Sequence, residues 1–153
     1  MNADPLIRVF SASYLRIHHE PKLRSIELEW HAHLQPNEVR TGFQVGMQIA
    51  EQRQVQAWIA NMTHMGPISS EDQEWIVANW LPRLRLLGLK FLAIVVSDDA
   101  RNRLSIHNIM SASEQKGYTP AETVYFSSAQ DARDWVYQSC CQPTSLPVVT
   151  RRF

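Results

Sequence analysis

Residues 91–96 read Phe-Leu-Ala-Ile-Val-Val, six apolar side chains in a row. An extended segment points successive side chains to opposite faces, so this run is apolar on both. It has to be covered on both sides, as the central strands of a parallel sheet are. It is far too short to cross a bilayer. One such strand commits the chain to a layered α/β arrangement, and its neighbours must supply the covering layers.

Upstream, Ile26, Leu28, Trp30, Ala32 and Leu34 alternate with Glu27, Glu29, His31 and His33. That period of two predicts a strand over 25–34 with one buried and one wet face. Leu15 and Ile17 give residues 12–19 an apolar face, with Tyr14, Arg16 and His18 opposite. Pro21, Lys22, Leu23 and Arg24 supply the turn of an antiparallel hairpin. Matching the faces sets Arg16 beside Glu27 or Glu29, a cross-strand charge pair of about 0.2–1 kcal/mol.

From residue 36 the period changes. Pro36 suits a first helical turn, and Val39, Phe43, Met47 and Ala50 form a core-facing stripe up to about Arg53. Residues 55–60 are a third strand. Ser70 with Gln73 fits a capping box, and Glu71 and Asp72 favour a helix start. That helix carries Trp75, Ile76, Trp80, Leu84 and Leu87 and stops at Gly88. Pro82 should kink or divide it. After the 91–96 strand, Asp98 or Asp99 caps a helix containing Leu104, Ile106, Ile109 and Met110, which Lys116 and Gly117 end. Residues 123–126 are the last strand, and Ser128 caps a final helix through Trp135 and Val136.

The order β-β-α-β-α-β-α-β-α predicts an α/β fold with a mixed sheet. An N-terminal antiparallel hairpin leads into parallel βα units, flanked by about four helices. Residues 1–10 read as an N-terminal extension, 11–138 as one domain and 139–153 as a loosely held tail. A length of 153 residues suits a single domain with a sizeable core.

Fifteen basic residues balance fifteen acidic ones. Zero net charge gives no reason to expect nucleic acid or an anionic membrane as partner, and little repulsion against self-association. The first ten residues have no apolar core of a signal peptide. Adjacent Cys140 and Cys141 make no disulfide framework. A reducing, cytoplasmic location is the expectation.

Five isolated glycines form no G-x-G-x-x-G or phosphate-binding loop. No G-x-S-x-G elbow or H-E-x-x-H occurs. The expectation is therefore a protein without cofactor or catalytic machinery. The candidate site is the loop over residues 61–70, between a strand end and a helix start. Ligands gather at that edge of open α/β sheets. His64, Met65, Gly66, Ser69 and Ser70 lie on it, and Trp75 and Trp80 follow on the helix. As an ordinary connection, the loop would need Ser70 only as a cap and His64 only as solvated surface. Trp75 and Trp80 are five residues apart, about 140° around a helix, so one of them exposed would mark a binding surface. His31 and His33 share the polar face but want a third ligand to hold zinc, and read as a solvated face. Cys140 and Cys141 follow a helix C-terminal end, where the dipole disfavours thiolate, and read as structural.

The chain resembles the STAS / SpoIIAA-like superfamily, in particular small stand-alone bacterial STAS-like proteins. The likeness rests on IELEWHAHL (26–34), the helix of 36–53, WIANMTHMGPISSEDQEWI (58–76), LPRLRLLGLKFLAIVVSDD (81–99), LSIHNIMSASEQKG (104–117) and VYFSSAQDARDWV (124–136). It covers about residues 10–138. The resemblance implies a helix-flanked sheet, no enzymatic activity, and work through binding a protein or small ligand. One branch of that superfamily is switched by phosphorylating a serine in an Asp-Ser-x-Gly stretch. Here the loop reads Thr63-His64-Met65-Gly66, only the glycine matches, and the switch does not transfer. The leading expectation is a regulatory interaction domain that binds a protein, itself included, as a homodimer. The second is a binder of a lipid or an anionic metabolite.

Overall fold

The computed structural model describes residues 7–32, 34–117 and 121–141. His33 and the tail after Cys141 lie outside them. The strands are β1 (Ile7–Ser11), β2 (Leu15–Glu20), β3 (Ser25–Trp30), β4 (Ala57–Asn61), β5 (Phe91–Val95) and β6 (Glu122–Phe126). They form one six-stranded sheet in the order β1-β2-β3-β4-β5-β6. β2 runs antiparallel to both of its neighbours, β1 and β3, and β3 to β6 run parallel. The α/β class and the mixed sheet are as the sequence led us to expect.

The hairpin register places Arg16 opposite Glu29 and His18 opposite Glu27. Arg16 Nη1 lies 3.6 Å from Glu29 Oε1. The edge strand β1 occupies residues that the sequence reading assigned to an extension. Its five residues are broken by a bulge between Arg8 and Phe10, which leaves no alternation long enough to detect.

The helices are α1 (Glu38–Arg53), α2 (Ser70–Trp75), α3 (Leu81–Leu87), α4 (Ala100–Gln115) and α5 (Ala129–Cys141). A π-helical turn, Ile76–Trp80, joins α2 to α3 into one rod, so four rods flank the sheet. Strand order never reverses, and right-handed crossovers in such a sheet put every connecting helix on one face. Phe43 and Met47 of α1, Leu81 and Leu84 of α3, and Ile106 and Ile109 of α4 accordingly share one core with Leu28, Trp58 and Ile94. α5 connects no strands and folds onto the other face. There Ala132 and Val136 pack on Ala57, Ile59, Ala93 and Val95. The 91–96 run is thus covered on both sides.

α1 lies close to the sheet because Gly42 and Gly46 face it. A Cβ at Gly46 would stand 2.8 Å from Leu28 Cδ2 and 2.9 Å from Trp58 Cη2. Pro36 precedes α1 instead of opening it; the N-cap is Asn37 in a left-handed conformation with φ 72°. Leu104, one of the apolar residues of this helix, is 60% exposed, since α4 turns Ser105 and Ile106 inward.

Pro82 has no N–H for the carbonyl four residues back. The rod widens just before it, and Leu81 N–H reaches Ile76 C=O, five residues back. The expected kink is this π turn. It swings Trp80 into the core, edge-on to Phe43 at 4.8 Å and to Trp58 at 5.1 Å. Such T-shaped pairs contribute about 0.5–1.5 kcal/mol beyond area burial. Among the described residues no helix is long and apolar enough to cross a membrane.

Candidate functional site

The loop between β4 and α2 is held from three sides. Met65 and Ile68 are buried in the main core. Ser97 Oγ donates to Met65 C=O at 2.7 Å, and Asn102 Nδ2 to Gly66 C=O at 2.9 Å. Ile68 N–H donates to Ser105 Oγ at 3.0 Å, while Ile68 C=O accepts from Gln73 Nε2 at 2.8 Å. The Met65 and Gly66 carbonyls and both backbone groups of Ile68 are thus engaged, by α4, the segment before it and Gln73 of α2.

The seven candidate residues therefore separate. His64 is exposed, and Gly66 is half-buried with its carbonyl taken. Met65 and Trp80 belong to the core. Ser69, not Ser70, caps α2, accepting from Asp72 N–H at 3.1 Å; Ser70 is the exposed first helical residue. Trp75 is half-buried, with the Arg40 guanidinium 5.8 Å from its ring centroid. A strand order without reversal also has no switch-point crevice at this edge.

A polar network lies on the α5 face. Glu27 sits on the phase of β3 read as wet, yet it is 2% exposed. Arg133 of α5 reaches it with two N–H···O bonds, 2.7 and 2.8 Å. Asn61 Nδ2 donates to the same carboxylate at 3.3 Å, and Asn61 Oδ1 accepts from Thr63 Oγ1 at 2.7 Å. The Glu27 carboxylate raises the Arg133 pKa above its ordinary value, chiefly through these hydrogen bonds. Both oxygens of the Glu27 carboxylate are engaged, so the network reads as a latch between sheet and helix.

Two depressions lined by described residues bear on function. One is a groove of about 430 Å³ between the α2–π-turn rod and α4, floored by Val77 and Ile109 and edged by Ser70, Glu74 and Lys116. The other is a cleft of about 150 Å³ at the C-terminal ends of β5 and β6, against α4. Ile94, Val96 and Ile106 give it apolar walls, and Asn102, Arg103, His107 and Tyr125 give it polar ones. Burial, with a smaller contribution from the Glu114 charge, raises the Tyr125 pKa and keeps the phenol protonated. Asn102 is 1% exposed, and its Oδ1 is buried without a hydrogen-bond partner. The sequence reading missed Asn102 and Ser105. Their signal was position: both fall on the stripe of α4 that carries Ile106 and Ile109, where a polar side chain needs a reason.

Among the described residues no group of three or more His, Cys, Asp or Glu side chains could hold a metal ion. Burial first, and then the neighbouring Cys141, push the Cys140 pKa up to about 11. That thiol is protonated at neutral pH and a poor nucleophile. Comparison with family models, with curated proteins and with solved structures gave no match.

Proposed function

We propose that this protein is a non-catalytic interaction domain of the STAS-like kind that pairs with a second copy of itself through β6. The observation that carries the reading is the free edge of that strand. No strand lies beyond β6 among the described residues. Its sequence, Glu-Thr-Val-Tyr-Phe, has no proline, lysine or bulge, the devices that usually blunt an edge. The opposite edge, β1, carries both a bulge and Arg8.

The hydrogen-bond phase of β6 supports the same pairing. Glu122 N–H donates inward to Lys90 C=O, and Phe126 C=O accepts from Val96 N–H. Backbone groups alternate along a strand, so Thr123 and Tyr125 turn theirs outward. An antiparallel pair of β6 strands centred on Val124 would set each Thr123 opposite the other copy's Tyr125 with both bonds made. Each Glu122 would face a Phe126 and not the other Glu122. Tyr125 is 38% exposed and would gain cover. Zero net charge adds no long-range repulsion.

The test is native mass spectrometry with analytical ultracentrifugation on the wild type and on Thr123→Pro. Proline there removes an outward N–H, which an edge strand tolerates, together with the Thr123 Oγ1 bond to the Ala121 carbonyl at 3.2 Å. The expected result is a wild-type dimer and a folded monomeric variant. A wild type that stays monomeric at high concentration would overturn self-association. A dimer that survives in Thr123→Pro would overturn the β6 edge.

A further inference from the structure

We infer that the cleft between α4 and the ends of β5 and β6 is a binding site for a small hydroxycarboxylate. Three independent features converge there. The first is the unpaired acceptor. Asn102 Nδ2 is committed to Gly66 C=O, which fixes the amide orientation and leaves Oδ1 as the free atom. A buried amide oxygen without a partner destabilises the fold. Native proteins fill such sites with a donor, from solvent or from a ligand. The donor required here is an O–H or N–H.

The second feature is the charge at the rim. Arg103 Nη1 donates to Ser97 C=O at 2.8 Å, which sets the guanidinium at the cleft mouth with further N–H groups to offer. Arg101 is occupied by Asp99, at 2.8 Å from Nη2 to Oδ2. His107 stands one turn further along α4. An anionic group belongs at this end. The Arg103 charge disfavours an ammonium as the donor to Asn102, so a hydroxyl fits better than an amine. Glu114, whose charge acts on Tyr125, lies just over three turns of α4 from Arg103 and does not contest the Arg103 end.

The third feature is size and lining. About 150 Å³ is roughly five times a water's share of the liquid. That admits a molecule with a short carbon skeleton against Ile94, Ile106 and the Tyr125 ring. The protonated Tyr125 phenol can donate or accept beside it. A compact acid with a hydroxyl near the carboxylate meets all three conditions. Tyr125 belongs both to this cleft and to the paired strand, so the site is tested in the paired and the unpaired protein.

The experiment is a chemical-shift titration of the uniformly ¹⁵N-labelled full chain with L-lactate, with propionate and sulfate as controls. Thr123→Pro is titrated in parallel, so that failure of the dimer and failure of the cleft are read separately. Lactate should move the Asn102 side-chain amide and the backbone signals of Ile106, His107 and Tyr125 saturably. Propionate, lacking the hydroxyl, should bind about tenfold more weakly, the equivalent of one hydrogen bond to a buried acceptor. Arg103→Gln, at an exposed position, should keep the fold and weaken lactate by about tenfold or more. Propionate binding as tightly as lactate would remove the role given to Asn102. Equal shifts with sulfate would reduce the site to a non-selective anion contact and overturn the inference. So would an absence of saturable shifts with L-lactate.

Discussion

Glu27 occupies the polar phase of β3, but α5 closes over it. A buried carboxylate costs several kcal/mol unless it is paired and hydrogen-bonded. Here Arg133 and Asn61 supply three N–H donors between them. Arg133→Leu should therefore leave a charge stranded and destabilise the fold by roughly 2–3 kcal/mol. That is the low end for a broken buried pair, because the guanidinium side is 37% exposed and water reaches it. Glu27→Leu with Arg133→Leu should recover part of the loss, since two apolar side chains need no partners, while Asn61 Nδ2 loses its acceptor. Urea unfolding of the single and double variants decides this; a double variant as unstable as the single would show that packing, not charge, sets the effect. The alternation in 25–34 placed Glu27 on its correct face. It could not reveal the burial, because the covering residue is 106 positions away in the sequence. Asn102 was hidden in the opposite manner: its own helix was legible, but the unmade bond is visible only once the Gly66 carbonyl is in place.

At the scale of elements, the signals that are local in sequence were the reliable ones. Gly88 in the left-handed C-cap of α3, Asp99 as the N-cap of α4 and the stripe of α1 were all readable, because each rests on neighbours within a turn or two. The α2 cap slipped by one residue. Ser69 and Ser70 both offer a hydroxyl, and the choice between them is tertiary. Ile68 is clamped to Ser105 and buried, which leaves the next residue, Ser69, as the last one outside the helix. Thermal or urea unfolding separates the two readings. Ser69→Ala should lose about 1 kcal/mol, the usual value of an N-cap hydroxyl. Ser70→Ala, at an exposed first-turn position, should stay within about 0.5 kcal/mol of the wild type. The reverse ranking would restore the Ser70 cap. Pro82 likewise announced a disturbance in its helix, but only the packing of Trp80 against Phe43 and Trp58 explains why the disturbance takes the form of a widened turn.

Strand order is a property of the whole molecule and the least legible from the chain. The same alternations and crossovers fit several orders, and a monotonic one removes the crevice on which the loop at 61–70 depended as a ligand site. It also fixes the surroundings of His19. β2 runs with Leu15, Ile17 and His19 on the core face, so a histidine is buried at 5% exposure with Nδ1 unpartnered. Burial, and next the Arg53 charge, hold its pKa below the ordinary value; Glu20 opposes them more weakly. The unfolded chain takes up this proton near pH 6.5, while the folded protein resists it. The unfolded state therefore binds more protons as pH falls below about 6.5. The contribution of His19 to stability is complete above that pH and declines through it toward the lower folded pKa, by at most about 1.4 kcal/mol per pH unit. Asp99 is also depressed, by Arg101, but its window lies below about pH 4 and does not overlap. Urea midpoints for the wild type should thus drop between about pH 7.5 and 5.5. In His19→Leu, whose side chain suits the apolar phase of β2, that drop should shrink while the acid-side loss near pH 4 remains. Parallel curves for the two proteins across the upper window would mean that His19 is not the group whose protonation opens the fold.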